Sequence, residues 1–173
     1  MSCVPPNLAP IGHAHLPGVM AVQARAYGPA LLESPEVLGS KLRAPGGTCW
    51  GAFSAGQGGA APALCAYAIA HALPQGQPLV LNKPLTFTAA PVPDDWLYVH
   101  DIAVDPAYAG SGLAARLLAE VLGAGRGLGL RQAMLVAVQG AQAYWVRHGF
   151  VAATPRMPVQ GFGDDAVWMA RAL

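Results

Sequence analysis

The spacing of apolar residues predicts two helices near the start of the chain. Apolar residues recur at helical intervals over residues 16–27, until Gly28 and the proline after it interrupt the pattern. Ser34 is followed by another proline, a favoured combination of N-cap and first helical residue. A second helix is therefore predicted over residues 35–42.

Runs of apolar or alternating residues predict the strands of a sheet. The strongest strand covers residues 96–104, and residues 49–53 and 64–70 form a hairpin. The order of elements, β-α-α-β-β-β-α-β-α-β-β, indicates a mixed α/β sheet in a single domain over residues 1–173. The other predicted strands are 8–13, 132–138, one that begins at Gly149, and 166–170, and the other predicted helices are 112–122 and 141–148.

A proline-rich segment, residues 71–95, follows neither the helical nor the strand period for long. It carries five prolines, and a loop of this length inside a compact domain is usually functional or disordered. We expect it to form an ordered flap beside a functional site, with a short strand near residues 79–81. His71, at its start, is a polar candidate for that site.

Composition narrows the classes of partner. Ten basic residues against nine acidic ones give a net charge of +1, and no basic patch carries interleaved aromatic residues, so no nucleic acid partner is expected. The most apolar stretch, residues 58–73, is interrupted by Pro62 and His71, so no membrane span is expected. The N-terminal residues do not resemble a signal peptide, and we expect a cytoplasmic protein.

The three cysteines favour free thiols. Cys3, Cys49 and Cys65 cannot all pair with one another, and they lack the spacing of a zinc site. Cys49 and Cys65 are expected to be reduced and buried in strands, and no metal site is predicted.

A loop of small residues after the strongest strand is the most informative motif. Asp105 and Pro106 turn the chain after Val104, and residues 109–112 lead into a helix that starts at Leu113. The first N–H groups of a helix lack intrahelical partners, and the helix dipole is positive there. Because glycine also lets ligand oxygens approach the backbone closely, this loop predicts a phosphate site.

Two stretches together resemble the GCN5-related N-acetyltransferase (GNAT) superfamily. Residues 102–114 (Ile-Ala-Val-Asp-Pro-Ala-Tyr-Ala-Gly-Ser-Gly-Leu-Ala) are similar to its acetyl-CoA motif, Arg/Gln-x-x-Gly-x-Gly/Ala after a strand. Residues 141–150 (Ala-Gln-Ala-Tyr-Trp-Val-Arg-His-Gly-Phe) are similar to its second motif, a short helix that ends in Gly-Phe. The order of elements also matches that family over nearly the whole chain.

This resemblance implies both a fold and an activity. The fold would be a mixed, mostly antiparallel central sheet flanked by helices, with a splayed pair of strands that binds CoA. The activity would be N-acetyl transfer from acetyl-CoA to a primary amine of a small molecule or peptide. Dimers are common in such proteins, so a homodimer is possible.

The resemblance assigns the CoA contacts mainly to backbone groups. The pantetheine arm would pair with the strand edge at Ile102 and Val104, and the Val104 N–H would be the oxyanion donor. The family's Arg or Gln is replaced by Ala109, and Arg116 either supplies the missing charge or lies on a solvated helix face. The complete predicted set is Ile102, Ala103, Val104, Ala109, Gly110, Ser111, Gly112, Leu113 and Ala114.

The second motif lacks the general acid of the family. Many members carry a tyrosine four residues before the glycine of this motif, where this chain has Trp145. Tyr144 is adjacent but projects about 100° away around a helix, so it is either a candidate acid or a packing aromatic. A thiol with a pKa of about 8.5 also leaves fairly well without an acid.

His100 is the predicted general base. An alkyl amine with a pKa near 10 must lose a proton before it attacks, and imidazole is suited to general-base work at neutral pH. The alternative is a structural histidine. By the strand period His100 shares a face with Tyr98 and Ile102, and relatives that acetylate aralkylamines carry a histidine pair at positions 98 and 100. Asp101 is expected on the opposite face, as a hydrogen-bonded structural carboxylate or a group that positions water.

The predicted acceptor contacts come from three further places. In the family, the loop between the first two helices borders the acceptor, and here it carries Tyr27 and Glu33. Glu33 is a candidate to attract a cationic amine, with a capping or surface role as the alternative. Tyr98 and Gln139 complete the set, and for Gln139 a hydrogen bond at a helix start is an equal alternative.

A second class of function is left open by the two departures from the motifs. Ala109 and Trp145 also fit a non-catalytic acyl-CoA-binding regulatory module of the same fold. A third interpretation, an unrelated phosphate-binding protein with a glycine loop, does not explain the second motif.

Overall fold

Seven strands form the central sheet of the protein, whose computed structural model describes residues 5–56, 61–86 and 89–173. Together with the two strands of a smaller sheet, the described strands are β1 (Asn7–Pro10), β2 (Trp50–Ser54), β3 (Ala63–Leu73), β4 (Leu79–Val80), β5 (Trp96–Val104), β6 (Gln132–Ala137), β7 (Val151–Ala152), β8 (Val159–Gln160) and β9 (Val167–Ala172). The central order is β1-β2-β3-β5-β6-β9-β7, and β4 pairs with β8 in a separate two-stranded sheet. Only β5–β6 and β4–β8 are parallel among the described pairs, so the mixed, mostly antiparallel sheet is confirmed.

Four helices flank the sheet. They are α1 (Leu16–Ala26), α2 (Pro35–Leu42), α3 (Leu113–Gly127) and α4 (Gln142–Arg147). Ser34 caps α2 as predicted, because its hydroxyl accepts a hydrogen bond from the Val37 N–H at 3.3 Å. The short strand expected near residues 79–81 is β4.

The two faces of β3 separate the two main parts of the core. Ala66, Ala68 and Ala70 face α3, and their small side chains let that helix lie close to the sheet. Tyr67 and Ile69 face α1 and α2 instead. Both faces of β3 are covered, and its residues are therefore almost all apolar. This apolar run is the signal from which the sequence predicted the strand.

Several element ends differ from the sequence prediction, and the first strand, predicted over residues 8–13, is β1 (Asn7–Pro10). β3 continues to Leu73, so His71 lies inside a buried strand and does not start the proline-rich segment. α3 continues to Gly127 through three glycines that were expected to end it. Gly125 is buried where this helix meets Leu97, and its missing side chain permits the close approach.

The prediction that both cysteines lie in strands holds for Cys65, in β3, but not for Cys49, which directly precedes β2. Cys49 and Cys65 are buried free thiols, and each Sγ lies 3.3 Å from a backbone carbonyl. Cys3 lies outside the described residues. In the described ranges, none of the helices combines the length and apolar character needed to cross a bilayer.

The central strands β5 and β6 pair only at one end. Their parallel register runs from Trp96–Gln132 to Tyr98–Met134, after which the two strands diverge in the described structure. β5 continues to Val104 with only β3 as its partner. The splayed strand pair implied by the resemblance is therefore present, and it exposes one backbone edge of β5.

A bulge at His100 changes which residues of β5 share a face. Ile69 pairs with Asp101 and Ala70 pairs with Val99, so His100 is an extra residue in β5. The expectation that Asp101 lies opposite His100 is therefore wrong. The bulge turns Asp101 toward α1 and α2, whereas Ile102 packs on the α3 side.

Two glycines of α3 give a matched test of its packing. A Cβ at Gly125 would lie 2.7 Å from Leu97 Cδ2, whereas a Cβ at Gly123 would have no neighbour within 4 Å. We expect Gly123→Ala to raise the free energy of unfolding by about 0.5–1 kcal/mol through helix propensity. Gly125→Ala should lower it by about 1 kcal/mol because overpacking outweighs that gain. Urea unfolding of both variants measures the difference, and equal shifts would contradict this packing.

Candidate active site

A buried chain of three interacting side chains lies between the sheet and the first two helices. His100 Nε2 is 2.5 Å from Glu33 Oε2, and Lys41 Nζ is 3.6 Å from Glu33 Oε1. The side chains of His100 and Glu33 are each 7% exposed, and that of Lys41 is 4% exposed. Glu33 is therefore neither a helix cap nor a surface residue, and it orients the imidazole of His100.

The backbone of Glu33 is held in place by a glutamine of α1. Gln23 Nε2 donates to the Glu33 carbonyl at 3.1 Å, and the Glu33 N–H donates to Gln23 Oε1 at 2.8 Å. Gln23 is itself buried, so this two-point contact is shielded from water. The next residue, Ser34, is fixed as the N-cap of α2. Glu33 is therefore held on both sides, with its side chain directed at β5.

A second polar group is centred on Asp101. Tyr27 donates its hydroxyl to Asp101 Oδ1 at 2.5 Å, and Tyr67 donates to Oδ2 at 2.6 Å. The Tyr27 hydroxyl also lies 3.1 Å from the Ile102 carbonyl. Asp101 is thus the hydrogen-bonded carboxylate that the sequence suggested, although it faces the same side as His100.

Burial and neighbouring charge shift the pKa values of these groups. Burial favours the neutral form of Glu33, but the hydrogen bond and charge of His100 and the charge of Lys41 hold its pKa below the ordinary value. Burial lowers the pKa of Lys41, and Glu33 opposes this shift only in part. Burial, followed by the charge of Asp101, raises the pKa of Tyr27 and Tyr67 far above the ordinary value. Both hydroxyls therefore remain protonated donors.

A cavity of about 410 Å³ opens beside this network, next to the splayed end of β5 and β6. We call it the first cavity. Val136 and Val138 line it at the β6 side, and Leu31 and Phe162 form further apolar wall. Its polar lining includes Tyr27, Glu33, His100, Asp101, Gln139 and Asp165. The Gln139 N–H donates to Asp165 Oδ2 at 3.0 Å, which ties the end of β6 to the loop before β9.

A second cavity, of about 300 Å³, lies on the other side of His100, under part of the proline-rich segment. Lys41, His71, Lys83 and Tyr98 line it, together with His100. Tyr98 belongs to this second cavity and does not line the first. Burial lowers the pKa of His71 to about 3, so this imidazole is neutral at physiological pH.

The loop before α3 has the geometry of an open cradle. Gly110 and Gly112 have φ values of +75° and +76°, a left-handed region that favours glycine. A Cβ built on either would meet no described atom within 4 Å, so the space above the loop is open. Ser111 folds back, donating its hydroxyl to the Tyr108 carbonyl at 2.6 Å. The first N–H groups of α3 have no intrahelical acceptor, and the space over the two glycines before them is open.

At the position of the family's Arg or Gln this loop has Ala109, and Arg116, the candidate for the missing charge, lies on an exposed face of α3. Ala109 carries no polar group, and its N–H donates to the Pro106 carbonyl at 3.1 Å. Arg116 is exposed, with Nη2 at 3.4 Å from the Pro6 carbonyl. The backbone N–H groups and the helix dipole are therefore the features of this loop that could attract an anion.

The hydrogen-bond register of β5 selects which backbone groups reach its open edge. The Asp105 N–H donates to the Cys65 carbonyl on the β3 side at 2.9 Å. Amide groups of alternate residues point to opposite edges of a strand, so those of Ile102 and Val104 point toward β6. Ala103 points its amide groups toward β3 and buries its side chain, so the predicted contact at Ala103 is not supported.

The aromatic pair of α4 divides into a packed and a polar member. Trp145 packs against the main core and meets Phe150 with ring centroids 5.6 Å apart. The Tyr144 hydroxyl is buried and has no hydrogen-bond partner among the described residues. Burial also raises the pKa of Tyr144, so its hydroxyl holds its proton at neutral pH.

The sequence did not reveal two residues of this network, Lys41 and Tyr67. Lys41 lies on the buried face of α2 with Val37 and Leu38, a spacing that placed it among apolar positions. Tyr67 stands in an apolar strand and looked like ordinary core. Phe162 and Asp165 were also missed, because the segment that carries them shows little periodicity.

The hydroxyl of Tyr67 provides a stability test of the Asp101 network. We expect Tyr67→Phe to lower the free energy of unfolding by about 1–3 kcal/mol, since a hydrogen bond to a carboxylate is lost in a buried place. Tyr108→Phe is the control, because that hydroxyl makes no hydrogen bond within the described part of the chain. Equal small losses in chemical unfolding would show that the Tyr67–Asp101 bond adds nothing.

Comparisons with known proteins agree with this geometry. A family profile described as "Acetyltransferase (GNAT) family" matches residues 19–150. The comparison with curated proteins finds no significant match. Among solved structures, a chain of the NatC complex, solved with a Gag peptide and CoA, superposes with a TM-score of 0.72 at 14% identity, covering 98% of this chain and 99% of that one.

Two further structures show the same fold. An agmatine N-acetyltransferase mutant in apo form gives a TM-score of 0.69 at 16% identity, covering 98% of this chain and 100% of that chain. Ard1 from Thermoplasma volcanium gives 0.68 at 13% identity, covering 98% and 99%. At such low identities these structural similarities establish the fold, whereas the match to the family profile establishes the family.

Proposed function

Because this chain belongs to the acetyltransferase (GNAT) family, we propose that it is an N-acetyltransferase that moves an acetyl group from acetyl-CoA to a primary amine. One observation carries the proposal. The imidazole of His100, oriented by buried Glu33, lines a cavity at the end of β5 and β6 where the strands have separated. This arrangement supports the proposal, because amine acetylation needs a base close to the bound thioester, and the open backbone edge of β5 would hold that thioester.

The residues of the loop and strand edge fit a CoA donor. Acetyl-CoA supplies the acetyl group as a thioester and leaves as a free thiol. The N–H groups of Gly110, Gly112 and Leu113, at the positive end of α3, would hold its pyrophosphate. The amide groups of Ile102 and Val104 would pair with its pantetheine arm, as an edge strand pairs with a peptide, and the Val104 N–H would stabilise negative charge on the carbonyl oxygen.

His100 would accept the proton of the acceptor amine. With the Nε2 proton donated to Glu33, the Nδ1 lone pair is left to accept a proton. The amine nitrogen then forms its bond to the acetyl carbon while the carbon–sulfur bond breaks and its electron pair leaves on sulfur. Glu33 favours the imidazolium that forms, since it is a buried carboxylate in contact with the ring.

The departing sulfur requires little help from the protein. A thiol pKa of about 8.5 makes thiolate a fair leaving group, so the absence of a tyrosine at position 145 does not block the reaction. Tyr144 remains the candidate acid, because its buried hydroxyl has no partner among the described residues. A Tyr144→Phe variant with unchanged kcat would remove it from that role.

Turnover with a panel of amines tests the proposal. Purified protein is mixed with acetyl-CoA and each amine, free thiol is followed by a colorimetric reagent, and the acetylated product is identified by mass. We expect thiol release that depends on the acceptor. If calorimetry shows CoA binding but no amine causes thiol release, the proposal is overturned. That result would favour the regulatory module, which Ala109 and Trp145 also fit.

A further inference from the structure

The two cavities at His100 have opposite electrostatic character. The first cavity contains three carboxylates, Glu33, Asp101 and Asp165, and its described lining contains no lysine or arginine. The second contains Lys41 and Lys83, and its described lining contains no carboxylate. A single ligand that filled both cavities would meet negative charge at one end and positive charge at the other.

The two cavities are neighbours that share part of their walls. His100 and Phe162 line both of them. Along β5, the first cavity adjoins Asp101 and the second adjoins Tyr98, on either side of the bulge. The two cavities thus meet at the imidazole, and a ligand whose amine lies at His100 would pass this ring to reach the second cavity.

The ammonium group of Lys41 has no close hydrogen-bond acceptor among the described residues. Within the described ranges, its polar contacts are Glu33 Oε1 at 3.6 Å and the Lys83 carbonyl at 3.5 Å. Both exceed the usual 2.7–3.2 Å range of N–H···O hydrogen bonds. A buried ammonium carries three donors and is rarely left without close acceptors. The second cavity is therefore a place where an anionic oxygen would be stabilised by Lys41 and by the more exposed Lys83.

Resting on the proposed acetyl transfer, we propose that the acceptor is an amino acid or a related amine that carries a carboxylate, which the second cavity binds. The amine lies at His100 on the carboxylate side, and the carboxylate of the acceptor lies near Lys41 and Lys83. A second cation of a diamine or polyamine is disfavoured in the second cavity, because it would meet the two lysines there.

Matched acceptor pairs test this inference. Each carboxylate-bearing amine is compared with the same amine lacking that group: tyrosine with tyramine, arginine with agmatine, 4-aminobutyrate with propylamine. Acceptors with two, three and four carbons between the amine and the carboxylate test different distances between these two groups. We expect kcat/KM to favour the carboxylate member by about tenfold or more in at least one pair, the effect of one charge-assisted hydrogen bond.

Variants at Lys83 assign the preference to the second cavity. Lys83→Gln should reduce the ratio between the two members of the favoured pair about tenfold, and Lys83→Arg should retain most of it. Arg126→Gln, which removes the same charge from the exposed end of α3, is the control and should leave the ratio unchanged. Higher kcat/KM for the amines without a carboxylate, or an unaltered ratio in Lys83→Gln, would overturn the inference.

Binding measurements separate this inference from the proposed activity. The same pairs are titrated calorimetrically in the presence of CoA. If the carboxylate members bind more tightly and Lys83→Gln removes this difference, the second cavity is supported as their site, whether or not thiol is released. A lack of thiol release would then count against the proposed acetyl transfer and not against the carboxylate site. Equal binding of both members with normal thiol release would overturn the inference and leave the acetyltransferase intact.

Discussion

Gly112→Glu is expected to abolish CoA binding, with the dissociation constant rising at least about 100-fold. The new side chain would start in the open space above the loop, where the cradle at the N-terminus of α3 would receive a pyrophosphate. Its carboxylate would repel the phosphate charges and occupy their place, a loss of about 3 kcal/mol or more. Isothermal titration calorimetry with CoA measures the change.

Gly129→Glu is the matched control for this substitution. Gly129 has a φ of +77°, against +76° for Gly112, and a Cβ at either site meets no described atom within 4 Å. The backbone strain and the added charge are therefore the same, but Gly129 follows the opposite end of α3. If both variants bound CoA as the unmodified protein does, the loop would not be the pyrophosphate site.

His100→Ala is expected to lower kcat by about 100-fold or more at neutral pH while leaving acetyl-CoA affinity nearly unchanged. The imidazole lines the cavity beside the open edge of β5, and its removal takes away the closest side-chain partner of the Glu33 carboxylate. Steady-state kinetics over a pH series measures the effect. The rate that remains should rise with pH as more of the acceptor becomes deprotonated in solution.

His100→Gln separates base catalysis from the support that His100 gives to Glu33. Glutamine retains an N–H donor for the carboxylate but has no nitrogen that accepts a proton at neutral pH. It should therefore be nearly as slow as His100→Ala. His13→Ala, at an exposed histidine before α1, should retain full activity. Unchanged rate and pH profile in both position-100 variants would remove His100 as the base.

Local patterns in the sequence were sufficient for most elements. β5 and α2 were predicted at their observed ends, because an apolar run with a clear stop and a capped helix are both signals within a few neighbouring residues. The same holds for the glycine loop, whose positive φ values follow from its residue types. The β8 strand was missed, since its two residues gain order only by pairing with β4 across the fold.

The face assignment on β5 shows where periodicity fails. The alternation rule put Asp101 opposite His100, but one extra residue in the strand reverses the alternation beyond it. Nothing in the residues 96–104 marks that bulge, because it arises from the register against β3. As a result, the sequence separated two groups that the fold brings to the same side.

The sequence by itself determined the order of the longer elements, the cradle before α3, the family and His100 as a candidate base, since each depends on neighbouring residues or on short motifs. The tertiary structure alone decided that Glu33 meets His100 across 67 positions of sequence, that Lys41 joins them, and that two cavities of opposite charge adjoin the same imidazole. The physical reason is that charge and hydrogen bonding act through space. A buried carboxylate acquires its role from the groups that packing places within a few ångströms of it, and the order of residues along the chain does not specify them.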